Sequence, residues 1–377
     1  MTSTDKKRLH YLDNLKVFLI ILVVVHHVGQ AYGSTGGTWF YSYPGERVKP
    51  LVFFFLFNAS FFMGLFFFIS AYFLPGSFDR HGARKFVTDK FIRFGIPLAF
   101  SSLIMMPFID YVRYVNYVDP VSFKDFYIRH WFGYGAGTAS QFTLAHLWFI
   151  EHLLIYSILY AALRTVRQRW APSVSSVAPL RVRLWGIIAY ILILGLVTDL
   201  VRNSLGFPVN RWTWFLGFML VEPAHIPQYA SLFFIGILAY RRSFLESIAA
   251  PRNMLWLVPA IGIYGATIIR LYTADYQRAF SAWEFKEALF CVGICIGLLA
   301  LFKAFCNRTG RIMQTLSENT FGVYILHVPI VVALQYAFDP VQADAFTLFI
   351  VVSLLSIPGA FLVSFLIRLI PGMKRVL

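Results

Sequence analysis

The sequence predicts an all-α polytopic membrane protein, a bundle of about ten transmembrane helices with both termini in the cytoplasm. Composition is the first observation behind this fold class, because 58% of the 377 residues are hydrophobic and only 14% are charged, against about 25% charged in an average soluble protein. Repeated apolar runs of spanning length are the second observation, and the distribution of basic residues between these runs is the third.

Ten apolar segments are long enough to be read as spans. They lie at about 15–33, 51–74, 94–109, 144–163, 184–201, 228–240, 253–272, 285–305, 320–338 and 345–370. The sixth is the weakest, since the aromatic stretch that precedes it, 211–222, could enter the membrane as a re-entrant piece.

Charge supports this topology. With ten spans and a cytoplasmic N-terminus, 23 of the 33 Lys and Arg residues fall on the inner side, whereas 12 of the 18 acidic residues fall outside. The bias of the basic residues follows the positive-inside rule and supports both termini in the cytoplasm. The net charge of +15 is divided among several loops and forms no single stripe, which favours the lipid bilayer as a partner and argues against nucleic acid.

One integral-membrane domain, 1–377, is expected. The longest polar stretches, about 33–50, 110–143 and 164–183, are too short to bury a core of their own. The first 33 residues are read as a retained helix, because two histidines interrupt the apolar run and no small-x-small cleavage site follows. The three cysteines are expected to be free thiols, and no metal site is predicted. Oligomeric state is left open.

Lys16 and His27 are the most informative pair in the chain. Eleven helical steps bring them to one face, roughly 16 Å apart along the axis. A histidine deep in hydrocarbon is costly, which favours a role in a substrate pathway or a reaction over simple packing. A structural histidine bonded to a neighbouring helix is the alternative.

Four stretches in order resemble the transmembrane acyltransferase 3 family. Leu12-Asp13-Asn14-Leu15-Lys16, ten residues and His27 resemble its first-helix signature of an Arg, ten residues and a His. The others are Phe67–Phe73 running into Lys85–Arg93 and Ile96-Pro97; His146-Leu147-Trp148-Phe149-Ile150; and Leu316–His327. Chain length and the His-Leu-Trp-Phe stretch most resemble the glucan biosynthesis protein C group.

The resemblance implies a membrane O-acyltransferase. Such an enzyme would move an acetyl or succinyl group from cytoplasmic acyl-CoA to a hydroxyl of a periplasmic glycan or glucan. Acetyl-CoA or succinyl-CoA would be a donor substrate, with no tightly bound cofactor. A bacterial inner membrane is the implied location.

Donor binding would need inner-face cations and a narrow channel. Lys90 and Arg93, three residues apart, could clamp phosphates, and Arg84 and Lys85 could add to the field. Charges that only set topology are the alternative. Lys16, also assigned to the donor, departs from the family's usual Arg and cannot make a bidentate clamp.

His27 is the expected catalytic residue, acting as general base on the acceptor hydroxyl. A covalent acyl-imidazole is a less favoured variant. Asp13 is expected to cap its helix or to pair with Lys16. The other supporting residues are Glu151, Trp148, His146, Tyr324 and His327. Rings of the outer loops, including Trp39, Tyr41, Tyr114 and Trp131, could stack on sugars or simply sit at the interface.

Two other classes of function remain open on sequence grounds. A transporter or flippase of a glycan or lipid-linked substrate would also use intramembrane polar residues but would consume no acyl donor, although the absence of an internal repeat weakens this reading. A sensor or scaffold would tolerate the loss of His27.

Overall fold

Helices dominate the computed structural model, which describes residues 8–35, 39–135, 140–170 and 180–377. The eleven longer helices are α1 His10–Tyr32, α2 Leu51–Ala59, α3 Phe62–Lys90, α4 Met106–Tyr117, α5 Trp148–Trp170, α6 Leu184–Asp199, α7 Ile226–Arg241, α8 Leu257–Tyr272, α9 Trp283–Phe305, α10 Arg311–Ala337 and α11 Ala345–Leu369. Short helical turns lie at Phe91–Gly95, Ile96–Phe100, Ser101–Met105, Phe123–Asp125, Phe126–Trp131, Ala145–Leu147, Leu200–Ser204, Pro223–His225, Leu245–Ile248, Pro251–Trp256, Tyr276–Phe280 and Met373–Val376.

Each of the ten predicted apolar segments is helical over most of its length. Within the described residues, 8 helical segments are long and apolar enough to cross a membrane. One of them, Leu51–Tyr117, has 67 residues and contains both the second and the third predicted span. The sixth predicted span corresponds to α7, which has 16 residues. The polytopic, mostly helical class is therefore confirmed, and the count of ten and the side of each terminus stay predictions.

A single glycine interrupts the long α3 helix between the second and third predicted spans. Gly82 has φ 71° and ψ 168°, a conformation that is open almost only to glycine because a Cβ would clash with the backbone. The helical path turns there, and Lys85, Lys90 and Arg93 follow the turn.

Residues 211–222, whose aromatic character predicts a possible re-entrant piece, contain a β-hairpin. Strands β1 (Thr213–Phe215) and β2 (Met219–Val221) pair antiparallel, with Trp214 opposite Leu220. The outer edge of β2 is held by α5: the Leu220 N–H donates to Glu151 at 3.0 Å, and His152 Nε2 donates to the Leu220 carbonyl at 3.0 Å. Two side chains thus satisfy the main-chain groups that a neighbouring strand would otherwise pair.

Helix α1 runs through the centre of the bundle. Leu12, Leu15, Leu19, Val24 and Val28 on this helix are fully buried, and α1 packs against α3, α9, α10 and α11. At its start, the Asn14 amide donates to the carbonyls of Cys306 and Arg308, at 2.6 and 2.9 Å.

The bundle has two chemically different ends. One end joins the start of α1 and of α10 to the last turns of α7, α9 and α11, and it carries a concentration of cations; we call it the basic end, and its members include Arg8, Lys16, Lys90, Arg93, Arg164, Arg241, Lys303 and Arg368. At the opposite end, the loop after α1 is bonded to the residues that follow α10. The hydroxyl of Tyr41 donates to Asp339 at 2.6 Å.

A buried network of four charged side chains ties α6, α7 and α9 together. Arg202 donates to Glu287 and to the Ala224 carbonyl, and His225 Nδ1 donates to Glu222 at 2.8 Å while its Nε2 lies 3.7 Å from Glu287. All four side chains are nearly inaccessible. Two cations opposite two anions give a network without net charge, which offsets the cost of burying them.

His225 lies just before α7 and is charged within this network. Burial alone would lower its pKa, but the hydrogen bonds to Glu222 and Glu287 outweigh burial and raise the pKa to about 9. The partner Glu222 responds in the opposite direction: burial would raise its pKa, and the contacts with His225 hold it below the usual value.

Alkaline pH is expected to loosen this network. The folded pKa of about 9 lies above the value of 6.5 for free histidine, so the stability that the imidazolium contributes is complete below pH 6.5 and is lost as pH rises through about 9. The melting temperature of the purified protein is therefore expected to fall between about pH 7 and about pH 10. His225→Gln should remove that part of the fall, and an unchanged pH dependence in this variant would contradict the assignment.

Candidate active site

Three histidines from separate parts of the chain meet near the far end of α1. His27 lies five residues before the last residue of α1, about 25 Å along the axis from the first. Its ring centroid is 4.8 Å from that of His327 on α10 and 6.1 Å from that of His146, which precedes α5. The rings of His146 and His327 are also 4.8 Å apart.

Backbone carbonyls fix the proton positions of the His27–His327 pair. His327 Nδ1 faces the carbonyls of Val323 and Tyr324 at 3.1 and 2.8 Å, so Nδ1 carries the proton and Nε2 of the neutral ring is an acceptor. His27 Nδ1 lies 3.1 Å from that Nε2 and 2.8 Å from the Val23 carbonyl. With two acceptors before it, His27 Nδ1 carries a proton as well. The Nε2 lone pair of His27 is left available as a base.

His146 is positioned by a break in the hydrogen bonding of α10. Pro329 lies inside α10 and has no N–H to offer to the carbonyl of Ile325, four residues earlier. His146 Nε2 donates to that carbonyl at 3.3 Å. The buried Nδ1 of His146 has no hydrogen-bond partner, and Tyr324 fastens the same segment by donating to the His146 carbonyl.

Trp39 and Gln335 close the other side of His27. The Trp39 ring centroid lies 5.4 Å from that of His27. Gln335 is fully buried; it accepts from Trp39 Nε1 at 2.7 Å and donates to the Val28 carbonyl at 3.2 Å. Gln335 thereby holds the ring of Trp39, which belongs to the loop after α1, against the imidazole of His27.

The three histidines do not converge on a common point. Both ring nitrogens of His327 and Nε2 of His146 are occupied by the contacts given above. Over the part of the chain that the structure describes, no group of three or more His, Cys, Asp or Glu side chains is arranged to hold a metal ion. The arrangement is suited to moving a proton: His27 can accept one at Nε2 while its Nδ1–H is stabilised by His327.

At the basic end, Lys16 is already paired. Its Nζ lies 2.7 Å from Asp13, and Arg8 approaches the other oxygen of that carboxylate at 2.7 Å. Lys16 also lies 5.5 Å from the centre of the Phe73 ring. Asp13 thus pairs with both cations. Because this carboxylate already binds its ammonium group, Lys16 is less available to a ligand.

Lys90 and Arg93 are held by rings and not by carboxylates. Lys90 lies over Phe86 and Phe94, at 5.3 and 5.1 Å from their centres, and Arg93 lies 5.0 Å from the centre of Phe321 on α10. Among the ion pairs of the described residues, neither side chain takes part. Cation–π contacts orient these groups without neutralising them, so both remain able to bind an anion.

Arg84 and Lys85 are more exposed. Lys85 pairs with Asp89 at 3.0 Å, one helical turn later, and Arg375 approaches the same carboxylate at 3.8 Å. The side chain of Arg84 is exposed. Both cations precede Lys90 by about one and a half helical turns, and the ion pair of Lys85 is screened by solvent.

A comparison with known protein families finds one match for this chain. A family model described as an acyltransferase domain, that of acyltransferase 3, matches residues 9–369, nearly the whole chain. The chain belongs to the acyltransferase 3 family. Membership supports acyl transfer at a membrane as the activity of this acyltransferase. No curated protein and no solved structure matches the chain.

Glu151 and Trp148 lie outside the histidine cluster of the acyltransferase. The Glu151 carboxylate is bound to the hairpin at Leu220, as described above. Trp148 stacks on Tyr229 at a centroid distance of 5.3 Å and lies 5.4 Å from Trp212. Both residues therefore connect α5 to the hairpin and α7, and their link to His27 runs through the adjoining His146 segment.

Three of the outer-loop rings that could stack on sugars are buried and engaged in contacts within the protein. Trp131 is fully buried, Tyr41 is 2% exposed and bonded to Asp339, and Tyr114 packs on His130 at 4.7 Å. Trp39 is the member of that set which lies against His27.

Sequence reasoning did not find Gln335, His152 or the network around Arg202. Gln335 lies eight residues after His327, two helical turns along the same face of α10, and this spacing is a signal that could have identified it. For His152 and Arg202 the partners lie tens of residues away, and no local pattern marks them.

Replacing His327 by leucine tests the proton arrangement. The Nδ1–H of His27 would lose its partner on α10, so turnover of acyl transfer is expected to fall by about tenfold to hundredfold, with little change in the donor KM.

His26→Leu is the matched control, because His26 packs on Phe55 and Phe62 and its buried Nδ1 has no partner. Equal turnover in the two variants would show that His327 has no role in positioning the base.

Proposed function

We propose that this protein is a membrane O-acyltransferase that moves an acetyl or succinyl group from cytoplasmic acyl-CoA to a hydroxyl of an extracytoplasmic glycan, with His27 as general base. The observation that carries the proposal is the free Nε2 of His27, left as a lone pair by the two acceptors at Nδ1. Membership of the acyltransferase 3 family supplies the reaction class.

One base, His27, is sufficient for both proton transfers of the reaction. His27 Nε2 takes the proton of the acceptor hydroxyl as its oxygen attacks the thioester carbonyl, and the C–S bond breaks as the new C–O ester forms. The CoA thiolate leaves and takes the proton back from His27. During this cycle the Nδ1–H remains bonded to His327, which stabilises the transient imidazolium.

Donor and acceptor are proposed to approach from opposite sides. The basic end would face the cytoplasm, as the positive-inside rule indicates, and Lys90 and Arg93 would bind the phosphates of the nucleotide. His27 lies about 16 Å along α1 from Lys16, so the long pantetheine arm would span the distance to the thioester. Acetyl-CoA and succinyl-CoA are the proposed donors, and no resident cofactor is required.

The acceptor proposal rests on the outer end of the site. Trp39 presents a ring beside His27, and Trp148 and Trp212 continue an aromatic surface beyond the His146 segment. Flat rings of this kind stack on the apolar faces of sugars. Chain length and the His146-Leu147-Trp148-Phe149 stretch favour the glucan biosynthesis protein C group, a periplasmic glucan as acceptor and a bacterial inner membrane as location.

His27→Ala is expected to abolish the reaction. Removing the base should lower label transfer from acyl-CoA to glucan by at least about a hundredfold in vesicles of purified protein. His26→Ala, at the adjacent imidazole, is the matched control and is expected to keep most activity. Undiminished transfer by His27→Ala would refute the mechanism, and movement of unmodified glucan without CoA release would favour a transporter.

Lys90→Ala with Arg93→Ala tests the donor site. Loss of two phosphate contacts is expected to raise the KM for acyl-CoA by about tenfold and to change turnover less. Arg80→Ala with Arg252→Ala removes the same charge from exposed positions and should leave the KM unchanged. Equal donor dependence in both double variants would show that Lys90 and Arg93 serve topology alone.

A further inference from the structure

A groove between α5 and α7 lies apart from the histidine site. Its cavity has a volume of about 910 Å³, at the upper end of the range for small-molecule sites. The walls are mainly apolar, and Leu159, Leu163 and Phe234 are 54%, 63% and 58% exposed. The groove therefore opens sideways, toward the space that lipid tails occupy around a membrane protein.

Four arginines border the groove where α5 and α7 reach the basic end: Arg164, Arg167, Arg241 and Arg242. Arg241 is neutralised, since it donates to both oxygens of Asp79, at 2.5 and 3.0 Å. The other three form no ion pair with a carboxylate of the described residues, and Nε of Arg164 is buried without a hydrogen-bond partner. Three cations without counterions thus stand at the mouth of an apolar groove.

The groove does not lead to His27. Tyr156, at its deep side, packs on Phe67 with ring centroids 5.8 Å apart, and Phe67 packs on Phe149 at 4.7 Å. Phe149 in turn contacts Tyr324 at 5.5 Å, and Phe67 is fully buried. This closed stack of rings separates the groove from the histidines. A thioester bound in the groove could not contact His27, so the groove does not suit the acyl donor.

We infer that the groove binds one anionic phospholipid, with its phosphate held by Arg164, Arg167 and Arg242 and an acyl chain lying between α5 and α7. The chemistry matches at both ends: guanidinium groups form paired hydrogen bonds with phosphate oxygens, and the apolar walls replace the contacts that the chain makes in the bilayer. The lipid would cover the exposed apolar faces of both helices and join them at the basic end. This site is separate from the proposed acyl transfer and does not depend on it.

Native mass spectrometry of the full-length protein in detergent tests this inference, with phosphatidylglycerol and phosphatidylcholine of equal chain length as probes. One phosphatidylglycerol is expected to stay bound per chain, and phosphatidylcholine is expected to bind more weakly by about tenfold. Arg164→Gln with Arg167→Gln should reduce the bound phosphatidylglycerol by about tenfold or more. Arg80→Gln with Arg252→Gln, which removes the same charge from exposed positions, should retain it.

A second variant tests the groove itself with all arginines intact. Ala230→Trp places a large ring in the cavity and is expected to displace the lipid, whereas Ile261→Trp on the exposed face of α8 is not. Equal lipid retention by all variants would overturn the assignment, as would equal loss from both double-Gln variants. Displacement of the lipid by free CoA would overturn it in favour of a nucleotide site.

Discussion

The hydrogen bond between His27 on α1 and His327 on α10 is the interaction on which the candidate site depends. Two imidazoles in contact can carry their protons on different nitrogens. The carbonyls of Val323 and Tyr324 place the proton of His327 on Nδ1. Its Nε2 is therefore an acceptor for the Nδ1–H of His27. The proton arrangement of the proposed base is thus defined by main-chain atoms of two helices and not by a carboxylate. A shift between α1 and α10 would separate His27 Nδ1 from His327 and leave the Val23 carbonyl, on the same helix as His27, as its remaining partner.

Charged side chains are paired in one region of the bundle and unpaired in another. Near the hairpin, two cations and two anions cancel in the network of Arg202, Glu222, His225 and Glu287. At the basic end, by contrast, Lys90, Arg93 and Arg164 are left without carboxylate partners among the described residues. Buried charge that is fully paired is neutralised within the fold, whereas charge held by rings or left without a counterion is available for a ligand.

The sequence predicted the helical membrane class and singled out His27, but it did not predict the contacts that surround this histidine. The length of an apolar run is set by residues that are neighbours in the chain. The sequence alone therefore locates the ten segments, which are helical over most of their length. The spacing from Lys16 to His27 placed the histidine at the correct end of α1 for the same reason. His146 is 119 residues beyond His27, and their meeting depends on how α5 packs against α10, which no local pattern expresses.

The hairpin shows a second limit of local reasoning. Residues 212–220 are strongly apolar and resemble a membrane-entering piece, and the turn carries Leu216 at φ 54° ahead of Gly217 at φ 78°. Leucine is a rare residue at positive φ, so the usual Asn-Gly or Asp-Gly turn signal is missing. The partner of Glu151 is a main-chain N–H of this hairpin, which composition cannot reveal.

The attachment of the hairpin to α5 through Glu151 and His152 has a consequence for which residues of this surface can vary. Glu151 and His152 recognise only the amide and the carbonyl of residue 220, groups that every residue except proline presents alike. The exposed strand β1 can therefore exchange side chains without changing these two contacts with α5. A rigid anchor combined with a freely variable surface is the arrangement by which one scaffold can acquire new recognition properties while its chemical centre stays unchanged.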